Sequence, residues 1–199
     1  MKTALYDEHV ALGGRIVDFA GWDLPVMYSS IVEEHAATRT AAGIFDVSHM
    51  GEVRITGAGA EAYLKSLIPT RMDKLYPGKS MYSCFCNERG GVIDDLFIYM
   101  ISSEEYFLVV NASTTAKDLA WMRTHLTPGV ELADLSAETS KIDLQGPKSS
   151  AILSKVISDT KVDSLERFHF TDTAYRGMTI TVSKSGYTGE AGFELYLPN

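Results

Sequence analysis

The sequence predicts an α+β fold in which helices and antiparallel strands alternate irregularly. Strand patterns rich in β-branched and aromatic residues occupy Met81–Cys86, Val92–Met100 and Tyr106–Ala112, and only short turns separate these stretches. Three such stretches in a row are typical of an antiparallel meander. Elsewhere the helical and strand patterns lack the regular repeat of a parallel sheet. The 199 residues are enough for one large domain or two small ones.

The first helix boundary follows from a capping pattern. Residues 10 to 28 precede it and are expected to form an irregular segment with buried aromatic side chains. Ser30–Glu33 has the Ser-x-x-Glu spacing of a capping box. The helix that it opens is expected to run to about Ala42, with Gly43 just beyond its end.

The remaining elements follow from the same periodicities and from Pro and Gly punctuation. Further strands are predicted at Gly51–Thr56, Lys141–Leu144, Tyr175–Lys184 and Phe193–Leu197. Further helices are predicted at Gly59–Ile68, at Ser113–Leu126 with Ser113 as the cap, and from Gly146–Pro147 onward. The last strand runs directly into the terminus, which is unusual for a complete domain, so we expect a piece of a longer protein.

Composition excludes several classes of function. The formal net charge is −8 and no Lys/Arg cluster stands out, which disfavours nucleic-acid binding. No apolar run is long enough to span a membrane, and the N-terminal residues lack the apolar core of a signal peptide. Cys84 and Cys86 are expected to be reduced thiols, which favours a cytoplasmic location. The histidines lack ligand spacing, so no metal site is expected.

The segment Asn87–Met100 is the most informative part of the chain. Its first five residues, through Gly91, have hairpin-turn chemistry. In the strand that follows, Asp95 shares a face with Phe97 and Tyr99, whereas Asp94 lies on the other face. An ionised carboxylate among aromatic groups is costly unless it has a partner, so Asp95 is a candidate site residue. Asp94 is expected to bind backbone amides or a nearby cation.

Seven segments together resemble the glycine cleavage T-protein family, the tetrahydrofolate-dependent aminomethyltransferases. They occur in family order and cover nearly the whole chain. The segments are Leu5–His9, Phe19–Val26, Gly43–Met50, Asn87–Leu96, Val109–Ala112, Leu144–Pro147 and Gly186–Leu195.

The resemblance implies a T-protein-like folate-binding fold, ring-shaped, with folate in its central hole. Residues 1–50 and 136–199 would form a discontinuous first domain. Residues 51–135 would form an inserted ferredoxin-like antiparallel β/α domain. The C-terminal barrel domain of the family, and an arginine-bearing segment before it, are absent from this chain. We therefore leave open whether these 199 residues are active by themselves.

The resemblance also implies the reaction. In the family, lipoylated H-protein presents an aminomethyl group, tetrahydrofolate takes the one-carbon unit as co-substrate, and ammonia leaves. Asp95 matches the essential aspartate of the family and would stabilise the positive charge that develops at the transferred carbon. The competing interpretation is that Asp95 only pairs with a distant arginine or a backbone N–H.

The same comparison assigns the folate contacts. Glu194 matches the family glutamate that grips the pterin, whose 2-amino group and ring N–H suit a bidentate carboxylate. Its alternative is a solvent-facing strand glutamate. The side chain of Asn111 could instead cap the next helix. The remaining positions that match folate contacts are Met50, Tyr82, Tyr99, Asn111 and Tyr187.

Other functions stay open at this point. A domain like those of dimethylglycine and sarcosine dehydrogenases would accept its carbon from a flavin partner. A non-catalytic folate-binding protein is a further alternative, but such relatives carry Lys-Gly-Cys-Tyr where this chain has Lys184–Tyr187 without a cysteine. The last alternative is that the chain is an inactive fragment. A Ser-His-Asp triad around His49 is rejected, because Asp46, Ser48 and His49 lie too close in sequence to form one.

Overall fold

The computed structural model describes residues 1–199, which divide into two compact units. Unit 1 consists of residues 1–49 and 138–199, and unit 2 consists of residues 50–137. Every strand pairing is antiparallel, which confirms the predicted α+β class with antiparallel sheets. None of the helices is long and apolar enough to cross a membrane.

Six α-helices and twelve strands make up the two units. The helices are α1 (Tyr6–Ala11), α2 (Ile31–Thr40), α3 (Ala60–Leu67), α4 (Thr115–Thr124), α5 (Ser149–Val156) and α6 (Thr160–Asp163). The strands are β1 (Ile16–Phe19), β2 (Trp22–Pro25), β3 (Gly43–Asp46), β4 (Gly51–Thr56), β5 (Lys79–Cys86), β6 (Val92–Ser102), β7 (Glu105–Val110), β8 (Glu131–Asp134), β9 (Thr139–Gln145), β10 (Phe170–Tyr175), β11 (Met178–Ser183) and β12 (Gly192–Pro198).

Unit 1 contains a five-stranded sheet in the order β10-β11-β12-β9-β3 and a separate β1-β2 hairpin. Helices α5 and α6 contribute buried apolar residues to the same core as β9, β11 and β12. Members of this core include Leu144, Leu153, Ile180, Val182 and Phe193. The central strands β9 and β12 are therefore supported on their apolar face, and their polar face is left for the site.

Unit 2 contains a five-stranded sheet in the order β5-β6-β7-β4-β8. Alternate residues of β4, β6 and β7 point into one core, where α3 and α4 meet them. Tyr63 and Leu64 of α3 are 1% and 0% exposed. The Tyr63 hydroxyl donates to the backbone oxygen of Met122 at 2.6 Å and so ties α3 to α4. The opposite face of β5, β6 and β7 carries Asp95.

The turn predicted at Asn87–Gly91 is confirmed. The side-chain oxygen of Asn87 accepts the backbone N–H groups of Arg89 and Gly91 at 3.0 and 2.9 Å. Gly90 has a φ of +76°, the left-handed conformation that glycine adopts without strain. This turn fixes the register in which Asp95 of β6 lies opposite Cys84 of β5.

The predicted capping box is wrong in its residues. Ser30 precedes α2, but its side chain caps no N–H group. The acidic partner is Glu34 rather than Glu33, and its Oε1 accepts the N–H groups of Tyr28 and Ser29, both at 2.7 Å. The carboxylate therefore reaches back to the chain ahead of the helix. Gly43 is likewise misplaced in the prediction, because it begins β3 instead of ending the helix.

Two hairpins were not predicted. Residues 10 to 28 contain the β1-β2 hairpin, turned by Ala20 and Gly21 at φ values of 53° and 85°. Its aromatic residues are not all buried, since Phe19 is 55% exposed. The strand predicted over Tyr175–Lys184 is interrupted at once by Arg176 and Gly177, with φ values of 49° and 82°. Two consecutive positive φ values make a tight hairpin turn, which joins β10 to β11.

Two helices begin later than predicted. Ser113 lies inside a 3-10 turn at Ala112–Thr114, and α4 starts only at Thr115. The helix expected from Gly146–Pro147 starts at Ser149. In both places a short turn precedes the first helical residue, so the predicted boundary is early by two or three residues.

Replacement of Gly57 by alanine is expected to destabilise unit 2. Gly57 has a φ of +119°, and a Cβ there would overlap the backbone oxygen of Gly129. The overlap adds about 1–3 kcal/mol to the left-handed strain of about 1–2 kcal/mol. Gly90→Ala is the control, because Gly90 also has a positive φ but open space around it. Urea unfolding that shows equal losses for both variants would contradict the expectation.

Candidate functional site

In unit 2, Asp95 is held by two neutral donors. The amide nitrogen of Asn111 donates to Asp95 Oδ1 at 2.8 Å and to Asp94 Oδ1 at 2.8 Å. The hydroxyl of Tyr82 also hydrogen-bonds the Asp95 carboxylate. We call Tyr82, Asp94, Asp95 and Asn111 the Asp95 cluster. It forms where the adjacent strands β5, β6 and β7 present these side chains.

Asp95 is half-buried and pairs with no cation. None of the arginines in these 199 residues forms an ion pair with Asp95. The sheet register places Phe97 and Tyr99 on its face, as predicted, and their rings lie 5.4 Å apart. Since a carboxylate with only neutral donors keeps its full negative charge, the Asp95 cluster is suited to a cationic group.

Asp94 holds the Asn111 amide from the other side. Its Oδ1 also accepts the backbone N–H of Asp95 at 2.9 Å, and its Oδ2 lies 3.5 Å from Lys117 Nζ. Burial alone would raise the pKa of Asp94, but hydrogen bonds from Thr114, Asn111 and the Asp95 backbone lower it to about 2. Asp94 is thus ionised, and it has both kinds of partner that the sequence predicted, a backbone amide and a nearby cation.

The predicted folate contacts of unit 2 differ in how exposed they are and in what they bind. Tyr82 is 60% exposed, and partial desolvation together with its hydrogen bond to Asp95 raises the pKa of its hydroxyl. Tyr99 is only 1% exposed and packs against Phe107 with ring centroids 5.9 Å apart. Asn111 caps no helix N–H with its side chain, which turns to the carboxylates instead. Met50 precedes β4 and takes no part in the hydrogen bonds of the cluster.

In unit 1, a buried ammonium group joins two carboxylates. Lys141 Nζ lies 2.9 Å from Asp143 Oδ1 and 2.6 Å from Glu194 Oε1. Lys141, Asp143 and Glu194 are 3%, 0% and 8% exposed. Strand pairing creates the cluster, because Asp143 of β9 lies directly opposite Glu194 of β12. We call these three residues and Ser185 the Lys141 cluster. Glu194 is not the solvent-facing glutamate that the sequence left as an alternative.

The charges of the Lys141 cluster do not balance when all are ionised. Burial alone would lower the pKa of Lys141, but the fields of Glu194 and Asp143 outweigh it and raise that pKa. Burial raises the pKa of Asp143, while Lys141 opposes the rise. Asp143 Oδ2 is buried and has no hydrogen-bond partner. A donor from outside the protein would therefore be stabilised at this cluster.

Both carboxylate oxygens of Glu194 are engaged by protein groups. Its Oε1 pairs with Lys141, and its Oε2 accepts the hydroxyl proton of Ser185. A carboxylate oxygen can accept more than one hydrogen bond. Tyr187 stands nearby at 69% exposure, and partial desolvation followed by the field of Asp143 raises the pKa of its hydroxyl.

A glycine allows the turn that carries Tyr187 to pack closely. A Cβ at Gly186 would overlap the side chain of Gln145. The Gln145 amide donates to the backbone oxygen of Ser185 at 3.1 Å, which fixes the residue that binds Glu194. Gln145 itself is fully buried at the end of β9. The Gly-Tyr-Thr-Gly segment therefore packs against the buried side chain of Gln145.

The sequence did not single out Lys141 or Asp143. Polar residues at 141, 143 and 145 alternate with Ile142 and Leu144, a pattern that ordinarily indicates a solvated strand face. Only the pairing of β9 with β12 shows that this face is buried and charged. The sequence signal that could have indicated this cluster was a lysine and an aspartate two residues apart in a central strand.

Two histidines of unit 1, His9 and His49, contact neighbouring side chains. His9 Nε2 lies 2.8 Å from Asp46 Oδ2, and His9 Nδ1 lies 2.7 Å from the Tyr28 hydroxyl. This network ties α1 to β3. The ring of His49 meets Phe19 edge-on with centroids 5.5 Å apart, and burial lowers the pKa of His49. These contacts agree with the rejection of a triad centred on His49.

Comparison with known proteins identifies the family of this chain. Residues 5–199 match the family described as GCVT N-terminal domain. An aminomethyltransferase of Desulforamulus reducens is 44% identical over 197 residues, which are 99% of this chain and 54% of that protein. An aminomethyltransferase of Halalkalibacterium halodurans is 45% identical over 196 residues, which are 98% of this chain and 53% of that protein. The chain thus spans about half the length of these curated relatives.

A solved structure shows the same fold. The crystal structure of glycine cleavage system aminomethyltransferase T from Bartonella henselae superimposes with a TM-score of 0.87 at 30% sequence identity. The match covers 100% of this chain and 54% of that one.

Replacement of Lys141 by methionine is expected to destabilise unit 1 by about 3–5 kcal/mol, because it leaves two buried carboxylates without a counter-charge. Lys148→Met is the matched control, since Lys148 is exposed. The double variant Lys141→Met/Asp143→Asn should recover part of the loss by removing one buried charge. Urea unfolding measures all three, and a Lys141 variant as stable as the control would contradict the assigned role.

Proposed function

The chain belongs to the GCVT N-terminal domain family, and from this premise we propose that it acts in a tetrahydrofolate-dependent aminomethyltransferase of the glycine cleavage system. The proposed substrate is the aminomethyl group carried on the lipoyl arm of H-protein, and ammonia is released. The observation that carries the proposal is the Asp95 carboxylate, which is half-buried and bonded only to the neutral Asn111 and Tyr82 groups. The names of the aligned relatives support the reaction class.

Asp95 is the proposed catalytic residue. A carboxylate already paired with lysine or arginine would have little field left for the substrate, whereas the donors on Asp95 are uncharged. Asn111 and Tyr82 fix its orientation before the reaction, so no reorganisation is needed as positive charge develops. Asp95 also suits proton transfer to or from a group within hydrogen-bond reach. Asp94 and Asn111 are positioning residues in this scheme.

Glu194 is the proposed pterin ligand in unit 1. When bound, tetrahydrofolate supplies the two nitrogens that take up the one-carbon unit, and its pterin offers adjacent N–H donors to a carboxylate. Lys141 Nζ lies 2.6 Å from Glu194 Oε1, and the unpartnered Asp143 Oδ2 leaves an acceptor in the same cluster. Tyr187 and Tyr82 are exposed aromatic rings with the surface that a flat heterocycle requires. Asn111 and Met50 of unit 2 are further proposed folate contacts, whereas Tyr99, predicted from the resemblance, is 1% exposed and is not retained among them.

We further propose that unit 2 is the inserted ferredoxin-like domain and unit 1 the discontinuous first domain. The order β8-β4-β7-β6, with α3 after β4 and α4 after β7, supports the first assignment, and β5 adds one edge strand. Lipoylated H-protein is the proposed partner and the cytoplasm the proposed location. Both follow from the proposed reaction, which uses a carrier protein and a soluble cofactor.

Replacement of Asp95 by asparagine should lower turnover at least about 100-fold, because it removes the fixed negative charge and keeps the shape. The free energy of unfolding should change by no more than about 1 kcal/mol, since no ion pair is broken. Ammonia release from aminomethylated H-protein in the presence of tetrahydrofolate measures turnover. Asp73→Asn, at an exposed aspartate of the same unit, is the control. Near-normal turnover by the Asp95 variant would remove Asp95 from the mechanism.

Replacement of Glu194 by glutamine should weaken tetrahydrofolate binding about 10–100-fold, because hydrogen bonds to a charged acceptor are replaced by weaker ones. Calorimetric titration measures it, with Glu166→Gln as an exposed control in the same unit. An unchanged affinity would rule out Glu194 as the pterin ligand. If the folded wild type failed to bind tetrahydrofolate at all, the folate proposal itself would fall.

A further inference from the structure

Asp118 of α4 is a fully buried carboxyl group next to the Asp95 cluster. It is 0% exposed, and neither of its oxygens accepts a well-formed hydrogen bond. Asp94 Oδ2 is buried and equally without a hydrogen-bond donor. Two ionised carboxylates in such a place would repel each other strongly. One added proton removes the repulsion and supplies the missing donor.

We propose that Asp118 is protonated in the folded protein and donates this proton as a hydrogen bond to Asp94. It is then a positioning residue, since Asp94 shares the Asn111 amide with Asp95. The positioning role rests on the proposed function, whereas the location of the proton does not.

The surroundings decide which carboxyl group holds the proton. Asp94 Oδ1 receives the Asp95 backbone N–H and the Asn111 amide, both of which favour the ionised form of Asp94. Asp118 has fewer partners, and burial raises its pKa to about 7, with the field of Asp94 as the next cause. The charged groups that act on Asp118 are Asp94 of β6 and Lys117 of its own helix. The nearby lysine opposes the rise but does not cancel it.

A chain of four side chains follows from this arrangement. The Asp118 proton holds Asp94 Oδ2, Asp94 Oδ1 holds the Asn111 amide, and that amide holds Asp95 Oδ1 at 2.8 Å. Loss of the proton would place a second negative charge beside Asp94 in a buried position. Because Asp94 also anchors Asn111, the orientation of Asp95 then becomes dependent on pH.

The proton is tested by nuclear magnetic resonance on the chain with labelled aspartate. The side-chain carboxyl carbon of Asp118, assigned through its backbone, should titrate near pH 7. Titration below about pH 5, as for an ordinary aspartate, would overturn the proposal. This measurement uses the wild type, so it decides the question even if a variant fails to fold.

Thermal stability gives a second readout of the proton. A folded-state pKa above the unfolded value of about 4 stabilises the protein fully below that value. The contribution is lost as the pH rises through about 7. Between about pH 5 and about pH 8 the wild-type Tm should fall roughly 5 °C more than the Tm of Asp118→Asn, which cannot ionise. Parallel curves would contradict an ionisable Asp118 in this range.

The positioning role is tested by the pH dependence of turnover. Asp118→Asn keeps a donor for Asp94 and should retain kcat within about threefold, but it should lack the alkaline decline of the wild type. Asp118→Leu removes the donor and should lose kcat at least about tenfold with little change in KM. An asparagine variant with the wild-type pH profile would refute the role. If the wild type showed no turnover, the proposed function would fail while the resonance titration still decided the proton.

Discussion

Both clusters must keep carboxylates charged while the protein shields them from water. Unit 1 meets this requirement with the Lys141 ammonium, which lies within 3 Å of two buried carboxylates. Unit 2 meets it with the neutral Asn111 amide and Tyr82 hydroxyl around Asp95. The two arrangements have different consequences. A nearby cation cancels much of the electrostatic field of a carboxylate, whereas neutral hydrogen-bond donors orient the carboxylate and leave its field in place. In the proposed function, the first cluster would bind the ligand and the second would carry out catalysis.

The fold could be predicted where the signal was local. The Asn87–Gly91 turn was found because Asn and Gly chemistry alone specifies it. The strand Gly51–Thr56 was found because its alternation is uninterrupted. The capping box failed because Glu33 and Glu34 both fit the spacing to within one residue, and the geometry of the preceding chain selects Glu34. The Arg176–Gly177 turn was missed because the predicted strand began at Tyr175 and ran through both residues, whereas Tyr175 ends β10 and Met178 begins β11.

The residues of the candidate site also divide into those that the sequence could indicate and those that only the structure reveals. Asp95 was accessible to the sequence because an acidic residue in an aromatic strand face is unusual by itself. Lys141 and Asp143 were not, since their burial is created by the pairing of β9 with β12 across about 50 residues of sequence. Asp118 was also missed, because a single aspartate on a helix is ordinary until α4 is packed onto the sheet. Register and packing, rather than residue type, create these groups.

The interrupted connectivity of unit 1 has a consequence for the order of folding. Strand β3 pairs with β9, and the chain between them contains every residue of unit 2. Closing so long a loop from an unfolded chain is slow, because entropy is lost before any contact forms. Unit 2 has its own sheet and core, so its prior collapse draws the ends of that loop together. During synthesis β3 must then wait as an unpaired edge until β9 emerges from the ribosome, and this interval is when the polypeptide is most exposed to aggregation.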